Sequence, residues 1–130
     1  MSNPPTVEEV ARRVRAALDD ANLAAMRDLL HPDVQWGPPG DDRSGCHNRD
    51  EVLVWFQRAR DAGARGEVAE LVARGDKLLV GLWVRGTPAA VERGGEADRW
   101  QVLTLRAGRI IDIRGFERRA DAVAFAGLPQ

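Results

Sequence analysis

The feature that most constrains this chain is a change in the spacing of its apolar residues near its midpoint. Up to residue 63 they recur at helical spacing, whereas from residue 67 onward they alternate at the period of two typical of β-strands. The pattern predicts helices over 6–19, 22–31 and 48–63, a short strand over 33–36, strand hairpins over 67–85 and 99–117, and a closing helix over 119–126.

Capping residues and turn residues mark the ends of these elements. Thr6 with Glu9 and Asn48 with Glu51 have the spacing of reciprocal helix caps. Gly75-Asp76 and Ala107-Gly108 are typical of tight hairpin turns, and the Gly/Pro-rich segment 86–98 is predicted to be a mobile connection. A sheet needs its apolar face covered, and the helices are the only cover available. The chain, 1–130, is therefore predicted to be a single α+β domain, with a curved antiparallel sheet wrapped on three N-terminal helices.

Tight two-residue turns also predict which side chains share a face, because directly opposed residues point the same way. This register places Leu82, Trp100, Thr104 and Gly115 on the inner face, with Trp100 opposite Gly115. The outer face then carries the apolar side chains of Leu79, Trp83, Leu103 and Leu105. Such a patch is larger than monomers usually expose, which predicts a homodimer through the outer face of the sheet.

Composition narrows the possible partners and the compartment. The chain has 19 basic and 20 acidic residues, for a net charge of −1, so it lacks the basic excess expected of a nucleic-acid-binding domain. Its apolar runs are too short to span a bilayer, and residues 1–5 do not resemble a secretion signal. The single cysteine, Cys46, has no internal disulfide partner. We expect a cytoplasmic protein with no nucleic-acid or membrane partner.

Three segments carry a resemblance to a known family: Leu29-Leu-His-Pro-Asp-Val-Gln-Trp36, Gly45-Cys-His-Asn-Arg-Asp-Glu-Val52 and Ala107-Gly-Arg-Ile-Ile-Asp-Ile-Arg-Gly-Phe116. In order and spacing they resemble the SnoaL-like (polyketide cyclase-like) small domains, of actinobacterial type, within the NTF2-like superfamily. The resemblance implies a cone-shaped NTF2-like fold with a cavity at its wide end, often dimeric through the sheet.

The catalytic residues of several members of that superfamily are not visible in this chain. The isomerase type uses a tyrosine to stabilise an oxyanion, and this sequence contains no tyrosine. The epoxide-hydrolase type implies an aspartate where this chain has Gly115, and an Arg-x-Asp where it has Leu82 and Val84. The superfamily therefore leaves the activity open.

The function predicted from these observations is binding of a small, mostly apolar molecule, with no cofactor and no metal. The side chains predicted to line the cavity are Trp36, Trp55, Leu82, Trp100, Thr104 and Gly115. Thr104, as the only inward hydroxyl, is expected to orient a ligand carbonyl or hydroxyl.

Two other interpretations remain open at this point. In the first, the chain is a cyclase, isomerase or hydrolase of a secondary metabolite, with Asp112 or His47 as the acid or base. Alternatively, it is a dimerisation module whose cavity is filled by its own side chains. A thiolate nucleophile at Cys46, just before the third helix, is a weaker possibility because no third orienting group is evident.

Overall fold

The computed structural model describes residues 6–20, 22–41, 43, 45–86, 92 and 94–128. Its elements are α1 (Val7–Asp19), α2 (Leu23–Leu29), β1 (Leu30–Gly37), α3 (Arg49–Asp61), β2 (Arg65–Arg74), β3 (Lys77–Arg85), β4 (Glu96–Arg106), β5 (Arg109–Phe116) and α4 (Arg119–Ala126). The predicted α+β class is confirmed. Residues 87–91 and 93 of the connection predicted over 86–98 lie outside the described residues, and β4 begins at Glu96, inside that predicted connection.

The helix starts follow the capping residues of the sequence. The amide of Glu9 donates to Thr6 Oγ1 at 3.2 Å, and the amide of Glu51 donates to Asn48 Oδ1 at 2.9 Å. These side-chain acceptors satisfy backbone donors that a helix leaves free in its first turn. The second helix ends at Leu29 rather than His31, because β1 already begins at Leu30. The predicted closing helix matches α4 at both ends.

The five strands form one sheet in the order β1-β5-β4-β3-β2. Neighbouring strands are antiparallel except β1, which pairs with β5 in parallel. The sheet is therefore mixed, which corrects the antiparallel sheet predicted from the sequence. A strand joined to its sheet through a helix has no tight turn to set its direction, so the chain pattern alone carried no signal for this pairing.

The main core lies between the inner face of the sheet and the first three helices. Its fully buried members include Val10 and Val14 of α1, Val52 of α3, and Leu78 and Val80 of β3. These positions repeat at helical spacing in the helices and at alternate positions in the strand, as the change of period predicted. The N-terminal helices thus cover one face of the sheet.

Two irregularities in strand pairing change which residues share a face. The register shifts by one residue between Val68 and Glu70 in the first hairpin, and between Thr104 and Leu105 in the second. Beyond the second shift, Trp100 pairs with Phe116 and Gln101 pairs with Gly115. The predicted pairing of Trp100 with Gly115 is therefore wrong, because a β-bulge moves every later pair by one position.

The outer face of the sheet is covered by α4. Ala122, Val123 and Ala126 of this helix pack with Leu79 of β3 and Val102 of β4, in a second apolar cluster that also contains Phe116. Leu79 is completely buried there. Leu103 and Leu105 belong to the inner core, so the continuous apolar outer patch predicted from the sequence is not present. Within the described residues, no helix is long and apolar enough to cross a membrane.

Candidate functional site

An open cavity of about 890 Å³ lies between the helices and the inner face of the sheet. Of the six side chains predicted to line it, Trp36, Trp55, Leu82 and Gly115 do so. They come from β1, α3, β3 and β5, so four elements contribute to the cavity lining. The volume falls within the range of roughly 300–1,000 Å³ that small-molecule sites occupy.

Three aromatic rings form one wall of this cavity. Trp36 of β1 lies edge-to-face against Trp55 of α3, with ring centroids 4.5 Å apart, and its centroid is 5.0 Å from that of Phe56. Trp55 remains 49% exposed, so the cluster is not closed off from solvent. Aromatic faces and edges of this kind offer a large apolar surface to a ligand. We call Trp36, Trp55 and Phe56 the aromatic wall.

The segment before α3 is held against β1 by a short backbone pairing. The amide of Cys46 donates to the carbonyl of Trp36 at 2.8 Å, and the amide of Trp36 donates to the carbonyl of Cys46 at 2.9 Å. Gly45 has a φ of +87°, and a Cβ built there would lie 1.9 Å from the Trp36 carbonyl oxygen. Glycine is therefore required for this close approach, which places Gly45 and Cys46 on the cavity beside Trp36.

Trp100 and Thr104 lie on the outer face of the sheet, and their predicted inward orientation is wrong. The Trp100 ring lies over Gly81, where an added Cβ would be 2.4 Å from the indole. The Arg119 guanidinium lies over the Trp100 ring, 5.9 Å from its centroid. Thr104 Oγ1 accepts a hydrogen bond from Lys77 Nζ at 3.0 Å. The register shift in the second hairpin turns both residues away from the cavity.

The same shift brings two polar residues into the cavity that the sequence analysis missed. Arg99 pairs with Leu82, and Gln101 pairs with Gly115, so both share the inner face with cavity-lining residues. A tight turn at Ala107-Gly108 without a bulge would place Arg99 and Gln101 on the outer face of the sheet. The one available signal was the adjacent pair Ile110-Ile111, which interrupts the alternation where a bulge would.

The two acid or base candidates of the sequence analysis are not part of the cavity lining. Asp112 pairs with Thr104 on the outer face and receives hydrogen bonds from Arg114, the shortest at 2.9 Å. Arg114 is 6% exposed and also donates to the carbonyls of Pro38 and Asp41. Asp112 thus neutralises a buried arginine that anchors the loop after β1.

His47 and Cys46 have a different environment from the one nucleophilic catalysis needs. A ring nitrogen of His47, Nε2, lies 2.9 Å from the carbonyl oxygen of Arg43. Burial, with a smaller contribution from the Glu51 carboxylate, raises the pKa of the Cys46 thiol. The thiolate is therefore disfavoured, which argues against the nucleophile hypothesis. Among the described residues, no group of three or more His, Cys, Asp or Glu side chains could hold a metal ion.

Comparison with solved structures shows the same fold in proteins of low sequence identity. An NTF2-like protein of unknown function from Burkholderia pseudomallei is 20% identical, with a TM-score of 0.66, covering 97% of this chain and 98% of that one. A candidate SnoaL-like polyketide cyclase from Jannaschia sp. CCS1 is 12% identical, with a TM-score of 0.69, covering 100% and 99%. None of the curated proteins compared with the chain matches it significantly.

A third solved structure carries a bound small molecule. It is a protein with a ketosteroid isomerase-like fold from Catenulispora acidiphila, in complex with trimethylamine. It is 17% identical to this chain, with a TM-score of 0.63, and the alignment covers 95% of this chain and 96% of that one. At this level of identity the likeness concerns the fold.

The family of the chain follows from a match of its sequence to a family model. The family model for the SnoaL-like domain matches residues 11–113, from the first helix to the middle of the last strand. This span includes the first two segments that carried the resemblance and the third as far as Ile113, leaving out only its last three residues. The chain, which shares the fold of an NTF2-like protein from Cytophaga hutchinsonii, belongs to the SnoaL-like domain family.

Proposed function

We propose that this protein binds a small, mostly apolar molecule in the cavity between its helices and the inner face of its sheet. The observation that carries the proposal is an open cavity of about 890 Å³ with the aromatic wall on one side and Leu82 and Val84 on the floor. Transfer of an apolar ligand from water to such surfaces is favourable, roughly in proportion to the area buried.

The ionisable groups of the lining favour binding over acid–base catalysis. Within the described part of the chain, Asp19 at the end of α1 is the one carboxylate that lines the cavity. It is exposed, and its Oδ1 accepts a hydrogen bond from the amide of Val68 at 2.9 Å. A general acid or base in a cavity is expected to be buried and to have a shifted pKa. The enzymatic alternative therefore has no carboxylate at the cavity floor to support it.

The test uses Nile red, a neutral apolar dye whose fluorescence rises in apolar surroundings. Gly115→Leu adds bulk at the cavity floor, where the nearest atom to a new Cβ is the mobile end of Arg99 at 3.6 Å. Ala124→Leu adds similar bulk at an exposed position of α4 and is the matched control.

We expect saturable binding of Nile red by the wild-type protein and by Ala124→Leu. Gly115→Leu should bind the dye at least about tenfold more weakly, a change that corresponds to a loss of only about 1.4 kcal/mol of binding free energy. Circular dichroism establishes that each variant is folded. If the wild type gave no saturable signal, or if folded Gly115→Leu bound the dye as tightly as the wild type, the proposal would be wrong.

The homodimer and the cytoplasmic location remain predictions. On the outer side of the sheet, the large apolar side chains left exposed among the described residues are Trp83 of β3 and Phe125 of α4. A dimer through this side would bury those two rings rather than the leucines named in the sequence analysis. Native mass spectrometry of the wild type and of a Trp83→Ser/Phe125→Ser double variant decides between dimer and monomer.

A further inference from the structure

The cavity contains a charged side chain on a strand face that is mostly apolar. Ala97, Leu103 and Leu105 of β4 are buried in the inner core, and Arg99 lies on the same face between them. Arg99 reaches over Gly115 of the neighbouring strand, with its Nη2 3.6 Å from where a Cβ on that glycine would be. The absence of a side chain at position 115 leaves open space beside the guanidinium.

Most hydrogen-bond donors of the Arg99 guanidinium are not used by the described residues. Within the residues that the structure describes, its one polar contact is an ion pair, 3.8 Å from Nη1 to Glu117 Oε1, and the Glu117 side chain is 71% exposed. An ion pair with a solvated carboxylate at this distance contributes little. A guanidinium carries five N–H donors in a planar fork that matches the two oxygens of a carboxylate. Most of these donors therefore face the cavity or solvent.

Gln101 extends this polar site along the cavity floor. It lies two residues after Arg99 on the same face of β4 and directly opposite Gly115. Its side-chain amide supplies a neutral donor beside the charged fork. Arg99, Gln101 and Gly115 together form what we call the polar floor.

Most of the other charged residues of the lining are also cationic. Arg58, Arg60 and Arg65 lie at the exposed edge of the cavity, where Asp19 is the one carboxylate among the described lining residues. A protein of net charge −1 thus presents a cationic excess around this opening. Such an excess concentrates anionic ligands near a site and speeds their entry.

The polar floor and the aromatic wall are neighbours on the inner face. Trp36 pairs with Ile113 across the parallel strands, and Gly115 is the next residue of β5 on that face. A ligand with a charged end on the polar floor therefore has an apolar surface within reach for the rest of its body.

Resting on the proposed function, we infer that the natural ligand is an apolar carboxylate, with its anionic group on Arg99 and Gln101 and its apolar body against Leu82 and the aromatic wall. The Arg99 fork pairs with the carboxylate oxygens, and Gln101 donates an additional hydrogen bond. Arg99 is a specificity-determining binding residue in this arrangement.

The test compares three probes that share one alkyl chain and differ in the charge of the head group: decanoate, 1-decanol and decyltrimethylammonium. Their affinities are measured by isothermal titration calorimetry at neutral pH, below their aggregation concentrations, on the wild type, Arg99→Gln, Arg99→Lys and Arg109→Gln. Arg109→Gln removes the same charge at an exposed position of β5 outside the cavity lining and is the matched control.

We expect the wild type to bind decanoate about tenfold or more tightly than decanol, because a charge-assisted pair is added to the same apolar contact. In Arg99→Gln the ratio falls to about one while decanol binding is unchanged, whereas Arg99→Lys keeps a preference for decanoate and Arg109→Gln keeps the wild-type ratio. Equal affinities for decanoate and decanol in the wild type would overturn the inference and leave the proposed function standing, as would an equal loss for both probes in Arg99→Gln. Failure of all three probes and of Nile red would overturn both.

Discussion

At the residue scale, Gly45 shows how one position sets the shape of the cavity. Its positive φ and its contact with the Trp36 carbonyl bring Cys46 into register with β1, and this pairing fixes the segment that leads into α3. A side chain at position 45 would have to displace backbone rather than a flexible side-chain end. The aromatic wall therefore depends on a residue that makes no apolar contact of its own.

Gly45→Ala is expected to destabilise the protein more than Gly40→Ala does. Both glycines have positive φ, but a Cβ at Gly40 meets nothing within 4 Å, whereas at Gly45 it meets the Trp36 carbonyl at 1.9 Å. The conformational cost common to both is about 1–2 kcal/mol, and the collision at Gly45 adds roughly 2 kcal/mol or more. Urea denaturation of the two variants measures the difference, and equal losses would contradict it.

Cys46 is expected to react slowly with alkylating reagents at neutral pH. Burial, and to a lesser extent Glu51, raises the pKa of its thiol, so the apparent pKa in the folded protein lies above the value of about 8.5 for a free cysteine. Iodoacetamide rates from pH 7 to 10, measured in buffer and in denaturant, compare the two states. A folded-state midpoint below that of the unfolded chain would contradict the expectation.

The same shift has a consequence for stability. The folded state holds the thiol proton more tightly than the unfolded state does, so the protonated thiol adds to the free energy of unfolding. This stabilising contribution of Cys46 is fully present below about pH 8.5. It is lost as the pH rises through the folded-state pKa. Cys46→Ser should therefore show a smaller alkaline loss of stability than the wild type.

At the scale of elements, α4 decides whether the outer face of the sheet is covered. Its buried side chains pack on Leu79 and Val102, and it is also tied to β2 by the Arg119–Glu70 ion pair, 2.7 Å from Nη2 to Oε1. That carboxylate raises the pKa of Arg119, mainly through its hydrogen bond. Trp100 of β4 lies against Gly81 of β3 and 5.9 Å from the Arg119 guanidinium of α4, so it contacts both neighbouring elements.

Val123→Asp is expected to detach α4 and expose the outer face. Val123 is 1% exposed, and an uncompensated charge at such a site costs roughly 3–5 kcal/mol. Limited proteolysis should then cleave near residue 118, and size-exclusion chromatography should show self-association through the uncovered apolar strands. Ala124→Asp, at an exposed position of the same helix, should leave both measurements unchanged. Equal behaviour of the two variants would show that α4 does not protect this face.

At the scale of the whole molecule, the cavity and the core compete for the same apolar surfaces. Helices α1, α2 and α3 bury the inner face at one end, and at the other they leave the aromatic wall and the polar floor open. A ligand that occupies this space binds only the folded state, so it must stabilise the fold by mass action.

A saturating apolar ligand is therefore expected to raise the free energy of unfolding. At a free concentration of one hundred times the dissociation constant the increase is about 2.7 kcal/mol. Thermal melts with increasing ligand should show a saturable trend for the wild type and for Ala124→Leu. Gly115→Leu should show a much smaller shift at the same concentrations, and a cavity already filled by its own side chains would show no shift in any variant.

Local features of this chain could be predicted from its sequence. The caps at Thr6, Asn22 and Asn48, the hairpin turn at Gly75-Asp76 and the ends of α4 depend on residues within four positions of one another. Of the cavity lining, Trp36, Trp55, Leu82 and Gly115 were also placed correctly on the cavity, because strand alternation holds on each side of a bulge.

The tertiary structure decided the features that depend on contacts between distant segments. The bulge near Ile111 turned Trp100 and Thr104 outward and Arg99 and Gln101 inward. Local spacing carries little information about such a shift, because one extra residue changes every later pair while the alternation on each side of the bulge is kept. The parallel pairing of β1 with β5 and the docking of α4 on the outer face likewise arise only when separate elements pack together. The order of the elements therefore follows from the sequence, whereas the chemical character of the cavity floor follows from the register between its strands.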